Sequence, residues 1–367
     1  MGHRLRGGEG EKVLLISCVE TFTYSKCRYY YLSLCAPVSN HLQAPPYPGR
    51  SANSPDIPVL VMTKRKRAAS ISDQMRIFAQ IHQMFRKSYL LLFTIVSLLV
   101  CSGAEAQAVM LDTAQDHSMK IDDVRLHYKV WGKGEPVLLL HGAMEYWREW
   151  ERQIPALAKE YKVIAVDTRG HGLSTFTDRE LSYELFADDM IQLLSKLNID
   201  SIDVVGFGDG GIIGMAMAMK EPARVHKLIA IGSNISADTN AVYPFVLDKV
   251  KRWKYDKMAF YLQVKFKDNP NVKLLPIFAQ RMQALLLTQP HYTIDDLQKI
   301  QCPTLIMAGD HDFIKIQHTE FIYNNLPNGF LSIIPAGTHY CNKEKYQVVN
   351  ATILDFLRWK AERVMRY

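Results

Sequence analysis

From Lys120 onward the chain alternates between two kinds of segment. Short, nearly uninterrupted apolar runs, Pro136–His141, Lys162–Val166, Ile202–Val205, Lys227–Ile231 and Pro303–Met307, are separated by amphipathic stretches such as Ser182–Leu197 and Tyr346–Trp359. A strand that is apolar at successive positions has both faces buried, and a parallel sheet covered by helices on either side is the arrangement that buries them. The predicted fold class is therefore α/β, with a mostly parallel sheet. One interruption stands out: between Ser233 and Ile300 no comparable strand occurs, and the segment is helical in pattern and rich in Lys, Phe, Tyr, Met and Leu. An insertion of this kind reads as a helical cap, residues 234–300, above the C-terminal ends of the strands, where such sheets place their sites. Residues 109–233 and 301–367 form the expected core.

The N-terminal third is different. Tyr89–Cys101 is a short apolar run, preceded by Arg86-Lys87 and followed by small residues at A-x-A spacing, Ala104-Glu105-Ala106-Gln107-Ala108. That succession predicts a secretory signal peptide within residues 75–108, too short for a membrane span of about 20 residues. Cleavage after Ala106 or Ala108 fits, and the expected location is periplasmic or extracellular, with no membrane span after signal removal. A lipoprotein signal through Cys101 is weaker, because Val100 before it is not small. Signal peptides begin at the N-terminus, and Met75 or Met84 would each start one of normal length, so residues 1–74 read as an over-extended or disordered N-terminus. Their basic cluster, Lys64-Arg65-Lys66-Arg67, reads as a solvated charge run rather than a nuclear signal.

The formal net charge of +7 over 367 residues would motivate a nucleic-acid surface only if it lay on the folded part. Residues 1–108 hold 13 Lys+Arg and 6 Asp+Glu, and the remainder holds 31 of each, so the excess lies wholly outside the expected core. No nucleic-acid partner is expected. The six cysteines show no C-x-x-C spacing, so no metal site and no disulfide framework is indicated. Cys302 reads as a small buried hydrophobe and Cys341 as a free thiol.

Three motifs follow the strand-like runs in order. Leu140-His141-Gly142-Ala143 ends a buried strand in a turn that can aim a backbone N–H at a developing negative oxygen. Asp167-Thr168-Arg169-Gly170-His171-Gly172-Leu173-Ser174 is a strand entering a Gly-punctuated loop. Gly206-Phe207-Gly208-Asp209-Gly210-Gly211 turns a strand sharply into a helix. With these residues, and over roughly 118–362, the chain resembles an α/β-hydrolase, which implies a mostly parallel eight-stranded sheet with a helical cap. In that family the sharp turn reads G-x-S-x-G and carries the nucleophilic serine. Here the matching position is Gly208, which has no side chain to attack with. Moving the register to make Asp209 the nucleophile would put Phe207 where the turn needs a small residue. The resemblance further implies that His339, after the last strand, is the general base and that Asp312 orients it, with Asp310 as the alternative acid. It also implies that the backbone N–H groups of Ala143 and Asp209 form the oxyanion hole. Gly206-x-Gly208-x-x-Gly211 also matches a dinucleotide fingerprint, but the strand that follows ends in Ile231-Gly232-Ser233-Asn234 with no acid, and no cofactor is expected.

The expectation is a hydrolase-family protein, ancestrally a serine hydrolase of a small, partly hydrophobic ester or amide, with the nucleophile absent. Two alternatives stand beside it: a pseudoenzyme that binds a small molecule without turning it over, and general-base catalysis by a His339–Asp312 dyad with no covalent intermediate.

Overall fold

The computed structural model describes residues 113–360, together with Arg76, His82, Gln83 and Leu111, and describes only the backbone of 257–261. Apart from those isolated positions, the expectations for residues 1–108 fall outside the described residues.

Eight strands form one sheet: β1 (Gln115–Ile121), β2 (Val124–Trp131), β3 (Pro136–Leu140), β4 (Lys162–Asp167), β5 (Ile202–Phe207), β6 (Val225–Ile231), β7 (Thr304–His311) and β8 (Gly329–Thr338). Their order is β1-β2-β4-β3-β5-β6-β7-β8. The β1/β2 and β2/β4 pairs are antiparallel and every other pair is parallel. The alternation that predicted this sheet has a direct structural cause. Val137 and Leu139 of β3 pack with Val163, Ala165, Val205 and Ile229 on one face. Leu138 and Leu140 pack with Ile164, Val166, Val204 and Leu228 on the other. Both faces are core along the middle of these strands, and their polar residues, Lys162, Asp167, Asp203, His226 and Lys227, stand at or near the strand ends.

Helices cover the two faces. On one side lie α1 (Tyr183–Lys196) and α2 (Asp209–Lys220). The Ser182 hydroxyl caps α1 by accepting the Leu185 N–H at 3.0 Å. Every residue of α2 from Gly210 to Ala218 is buried, which is why its sequence is so small and apolar. Between β6 and β7 the chain forms α3 (Pro244–Lys251), α4 (Tyr255–Lys265) and α5 (Leu275–Thr288). Leu262, Phe266, Phe278, Met282 and Leu285 of this insertion join the same apolar cluster as Leu140 and Val166. Strand-like pairing in the insertion is confined to two isolated bridges, Ser236 with His291 and Val242 with Ile314. After β7 come α6 (Ile316–Asn325) and α7 (Tyr346–Arg358), and Val349, Ile353 and Phe356 of α7 close the second face.

The loop after β4 is built for structure. The Asp167 carboxylate accepts the backbone N–H of Trp147 at 2.8 Å and of Leu173 at 3.0 Å, and His127 Nδ1 donates to it at 2.7 Å. The fully buried Arg169 guanidinium makes a two-pronged contact with the equally buried Asp189, at 2.8 and 2.7 Å. A third prong donates to Asp123 at 2.9 Å. The polar residues of this motif thus tie β2, β4 and α1 together.

Candidate active site

The order in which strands are laid down switches sides at β3, which has β4 on one side and β5 on the other, all three parallel. Crevices in α/β sheets form at such a point, beyond the C-terminal ends of the strands. The motif residues gather there because each follows the end of a different strand.

Gly208 lies between β5 and α2 at φ +53°, ψ −118°, a conformation that side-chain-bearing residues adopt only under strain. Its neighbours in the motif allow the turn to be this tight: a Cβ on Gly206 would lie 2.3 Å from the Gly210 backbone, and one on Gly210 would lie 1.9 Å from the Leu140 oxygen. At Gly208 itself the surroundings are open. A Cβ built there would sit 3.7 Å from Gly142 Cα and 3.9 Å from His339 Nε2, ordinary contact distances. The turn is tight, and the space above Gly208 would admit a side chain.

His339 Nδ1 donates to Asp312 Oδ1 at 2.8 Å, and both residues are buried. The same Asp312 oxygen accepts the Ile314 N–H at 2.9 Å, while its other oxygen is sealed from solvent without a partner. Of the two candidate acids, Asp312 is therefore the one that meets the histidine. Asp310 instead pairs with His311 at 2.7 Å and accepts the Gly337 N–H at 3.2 Å. Phe313 stacks on the imidazole with ring centroids 3.7 Å apart, and Phe207 packs beside it at 5.0 Å. Gly232 makes room for this pair, since a Cβ there would come within 3.0 Å of the His339 ring and 3.2 Å of Asp312 Oδ2.

These groups open onto a cavity of about 240 Å³. Ala143, Gly208, Asp209 and His339 form its floor, and Val246, Val250, Trp253 and Leu286 of the insertion form much of its wall. A larger cleft of about 770 Å³ opens at the other ends of β3, β5 and β6. It holds none of the motif residues, and the Lys227 ammonium within it is tied to the backbone oxygens of Leu357 and Trp359.

From the sequence, Asp209 is expected to act through its backbone, its carboxylate being weighed only as a nucleophile in a shifted register. Its carboxyl also faces this site: one oxygen is buried without a partner, and Tyr183 donates a hydrogen bond to the group. Burial pushes the carboxyl up to about 7, against the smaller lowering effects of Tyr183 and His339. A carboxyl titrating near neutrality carried no sequence signal beyond an Asp at the start of an apolar helix. The packing residues Phe313 and Gly232 were likewise missed. The cysteines are as expected: Cys302 and Cys341 are free and buried. Among the described residues no cluster of His, Cys, Asp and Glu could hold a metal ion.

Residues 135–289 match the family model of the alpha/beta hydrolase fold. The chain is 30% identical over 274 residues to a Synechocystis sp. protein provisionally assigned as a non-heme chloroperoxidase, covering 66% of this chain and 98% of that one. It is 26% identical over 279 residues to the serine hydrolase BPHL of Mus musculus, covering 73% of this chain and 95% of that one. Among solved structures, the bromoperoxidase from Bacillus anthracis superposes with a TM-score of 0.57 at 23% identity, covering 67% of this chain and 100% of that one. With a sheet of this order, a strained turn after β5 and a relative of this similarity matched over nearly its whole length, the chain belongs to the α/β-hydrolase family.

Proposed function

We propose that this cavity is the site of a hydrolase for small, partly hydrophobic esters or amides, ancestrally a serine hydrolase, from which the nucleophile has been removed at position 208. One observation carries the reading: the space where a serine Cβ would sit is open and lies 3.9 Å from His339 Nε2, while His339 is held by a buried Asp312. A disabled scaffold kept only for binding has no chemical need of that pair. Ala143 and Asp209 would supply the N–H groups for the oxyanion, and the inserted helices would act as the cap that encloses the acyl chain. In serine proteases removal of the nucleophile costs about 10⁶-fold in turnover, so efficient acyl-enzyme chemistry is not expected of the chain as it stands.

The decisive variant is Gly208→Ser. It is expected to hydrolyse short acyl esters and to be labelled by fluorophosphonates, while the glycine protein is not labelled. A folded Gly208→Ser protein that neither labels nor hydrolyses any short ester would overturn the latent-hydrolase reading and leave the binding role. The open space also suits direct use of water by the His339–Asp312 dyad. If that route operates, the glycine protein shows slow hydrolysis without labelling, and Gly208→Ala, which fills the space, abolishes it.

We further propose export. The Arg86-Lys87 flank, the apolar run and the A-x-A succession support a mature N-terminus near Gln107 or Val109. N-terminal sequencing of protein from its native host tests this, and a mature start upstream of residue 75 would refute it.

A further inference from the structure

We propose that His141 and His171 are positioning residues that set the direction of the Ala143 N–H, and that His171 makes this direction depend on the seating of the inserted helices. The inference rests on the hydrolase reading above and concerns how its oxyanion donor is aimed.

The peptide joining Gly142 and Ala143 is planar and trans, so its carbonyl and its N–H point in opposite directions. Fixing one fixes the other. The Gly142 carbonyl accepts two hydrogen bonds, from His141 Nδ1 at 2.8 Å and from the Glu145 N–H at 3.2 Å. One residue further on, the Met144 N–H donates to His171 Nε2 at 3.2 Å. Met144 sits at φ +55°, a conformation that needs such a restraint to persist. The loop is therefore gripped on both sides of the Ala143 amide, and Ala143 lines the cavity beside Gly208.

The grip requires one tautomer of each ring, and the surroundings select it. His141 Nε2 accepts the Thr168 N–H at 3.0 Å, which leaves the ring proton on Nδ1, aimed at the Gly142 oxygen. His171 Nδ1 donates to the Arg169 oxygen at 3.1 Å or to Thr168 Oγ1 at 2.9 Å, which leaves Nε2 bare to accept from Met144. The Thr168 hydroxyl lies within 3.1 Å of His141 Nε2 as well and bridges the two rings. Burial holds both imidazoles below their ordinary range and so keeps both neutral.

The link to the insertion runs through ring packing. His171 lies edge-on to Phe278 of α5 at 4.9 Å and 6.3 Å from Phe266 at the end of α4. Lys265, next to Phe266, makes a 2.6 Å ion pair with Glu145 of the gripped loop. A shift of the insertion would thus move the ring that holds Met144 and the carboxylate that follows it.

The test uses Gly208→Ser for turnover and the glycine protein for binding. In Gly208→Ser, His171→Leu removes the acceptor while keeping bulk. It is expected to lower kcat about 10- to 100-fold, below the full loss of about 10²–10³-fold for deleting a donor, with KM changed less than about two-fold. His171→Gln, whose amide oxygen can accept from Met144, recovers most of the loss. Phe278→Ala shows the same kcat-only loss. In the ¹⁵N-labelled glycine protein, a short alkylphosphonate, an anion shaped like the oxyanion intermediate, is expected to shift the Ala143 and Asp209 amide resonances. In His171→Leu only Asp209 should still shift. Unchanged kcat in a folded His171→Leu protein, or equal changes in KM and kcat, overturns the proposal. Should His171→Leu not fold, Thr168→Val, which deletes only the bridging hydroxyl, must show the same kcat-specific loss or the proposal fails. If Gly208→Ser is inert the hydrolase reading falls, and the phosphonate titration of His171→Leu, repeated with His141→Leu, still decides whether the two histidines aim Ala143.

Discussion

Asp209 shows how much of a residue's chemistry depends on its surroundings. The backbone role given to it from sequence followed from its place after the turn; its side-chain role depends on Tyr183, 26 positions away. Burial pushes its folded-state carboxyl from the ordinary 3.8 up to about 7. A raised carboxyl binds its proton more tightly in the folded state, so its contribution to stability is complete below the ordinary value and is lost as pH rises towards 7. Asp209→Asn should therefore leave stability at pH 4 nearly unchanged and raise it at pH 8, by up to about 4 kcal/mol. Urea unfolding at the two pH values checks this, and a variant that tracks the parent at both would show that the buried carboxyl is relaxed by some other contact. By contrast, that Asp312, His339 and Gly208 come together was legible beforehand, because the order of motifs names positions that the strands then bring to one edge. What could not be read was everything that packs against them, such as Phe313 over the imidazole.

At the scale of elements, the parallel strands were legible because two buried faces leave a continuous apolar signal. Neither β1 nor β2 was given a strand range, β1 for the opposite reason. β1 is an edge strand, exposed at most positions, so its sequence, Gln-Asp-His-Ser-Met-Lys-Ile, has little apolar periodicity to detect. The loop after β4 resembled a functional motif and proved to be a fastening. Arg169→Leu should cost about 3–5 kcal/mol, since it leaves Asp189 buried without its cation. A midpoint of urea unfolding close to that of the parent would contradict this. The same substitution should leave the His339–Asp312 contact intact, which the His339 imidazole resonances would report.

The whole molecule carries opposing titrations, and their signs define a window. His318, pushed down to about 4 by burial, and the similarly lowered His141 and His171 stay neutral while their unfolded counterparts take up protons. Stability they contribute is present above about pH 6.5 and is lost as pH falls. The thiols of Cys302 and Cys341, raised by burial to about 11 and about 12, act on the other side, their contribution being lost as pH climbs past the ordinary thiol value. His127 sits between Asp167 and Asp116 at 2.7 Å from each. Burial alone would lower it, but the two carboxylates hold it above its ordinary value, so its contribution is present below about pH 6.5 and lost as pH rises. Thermal stability should therefore peak between about pH 6 and 8 and fall on both sides, and Cys341→Ala should flatten the alkaline limb. Melting curves across pH 4–10 would check both. The turn at Gly208 adds a consequence of another kind. At φ +53° a glycine is at ease and a serine is strained, by about 1–3 kcal/mol. Folding alone therefore favours the inert residue, and only selection for turnover can hold a serine there. Once that selection lapses, replacement by glycine runs downhill in folding free energy while the dyad beside it can persist unchanged, so the slope at this one position leads away from activity and leaves the machinery standing.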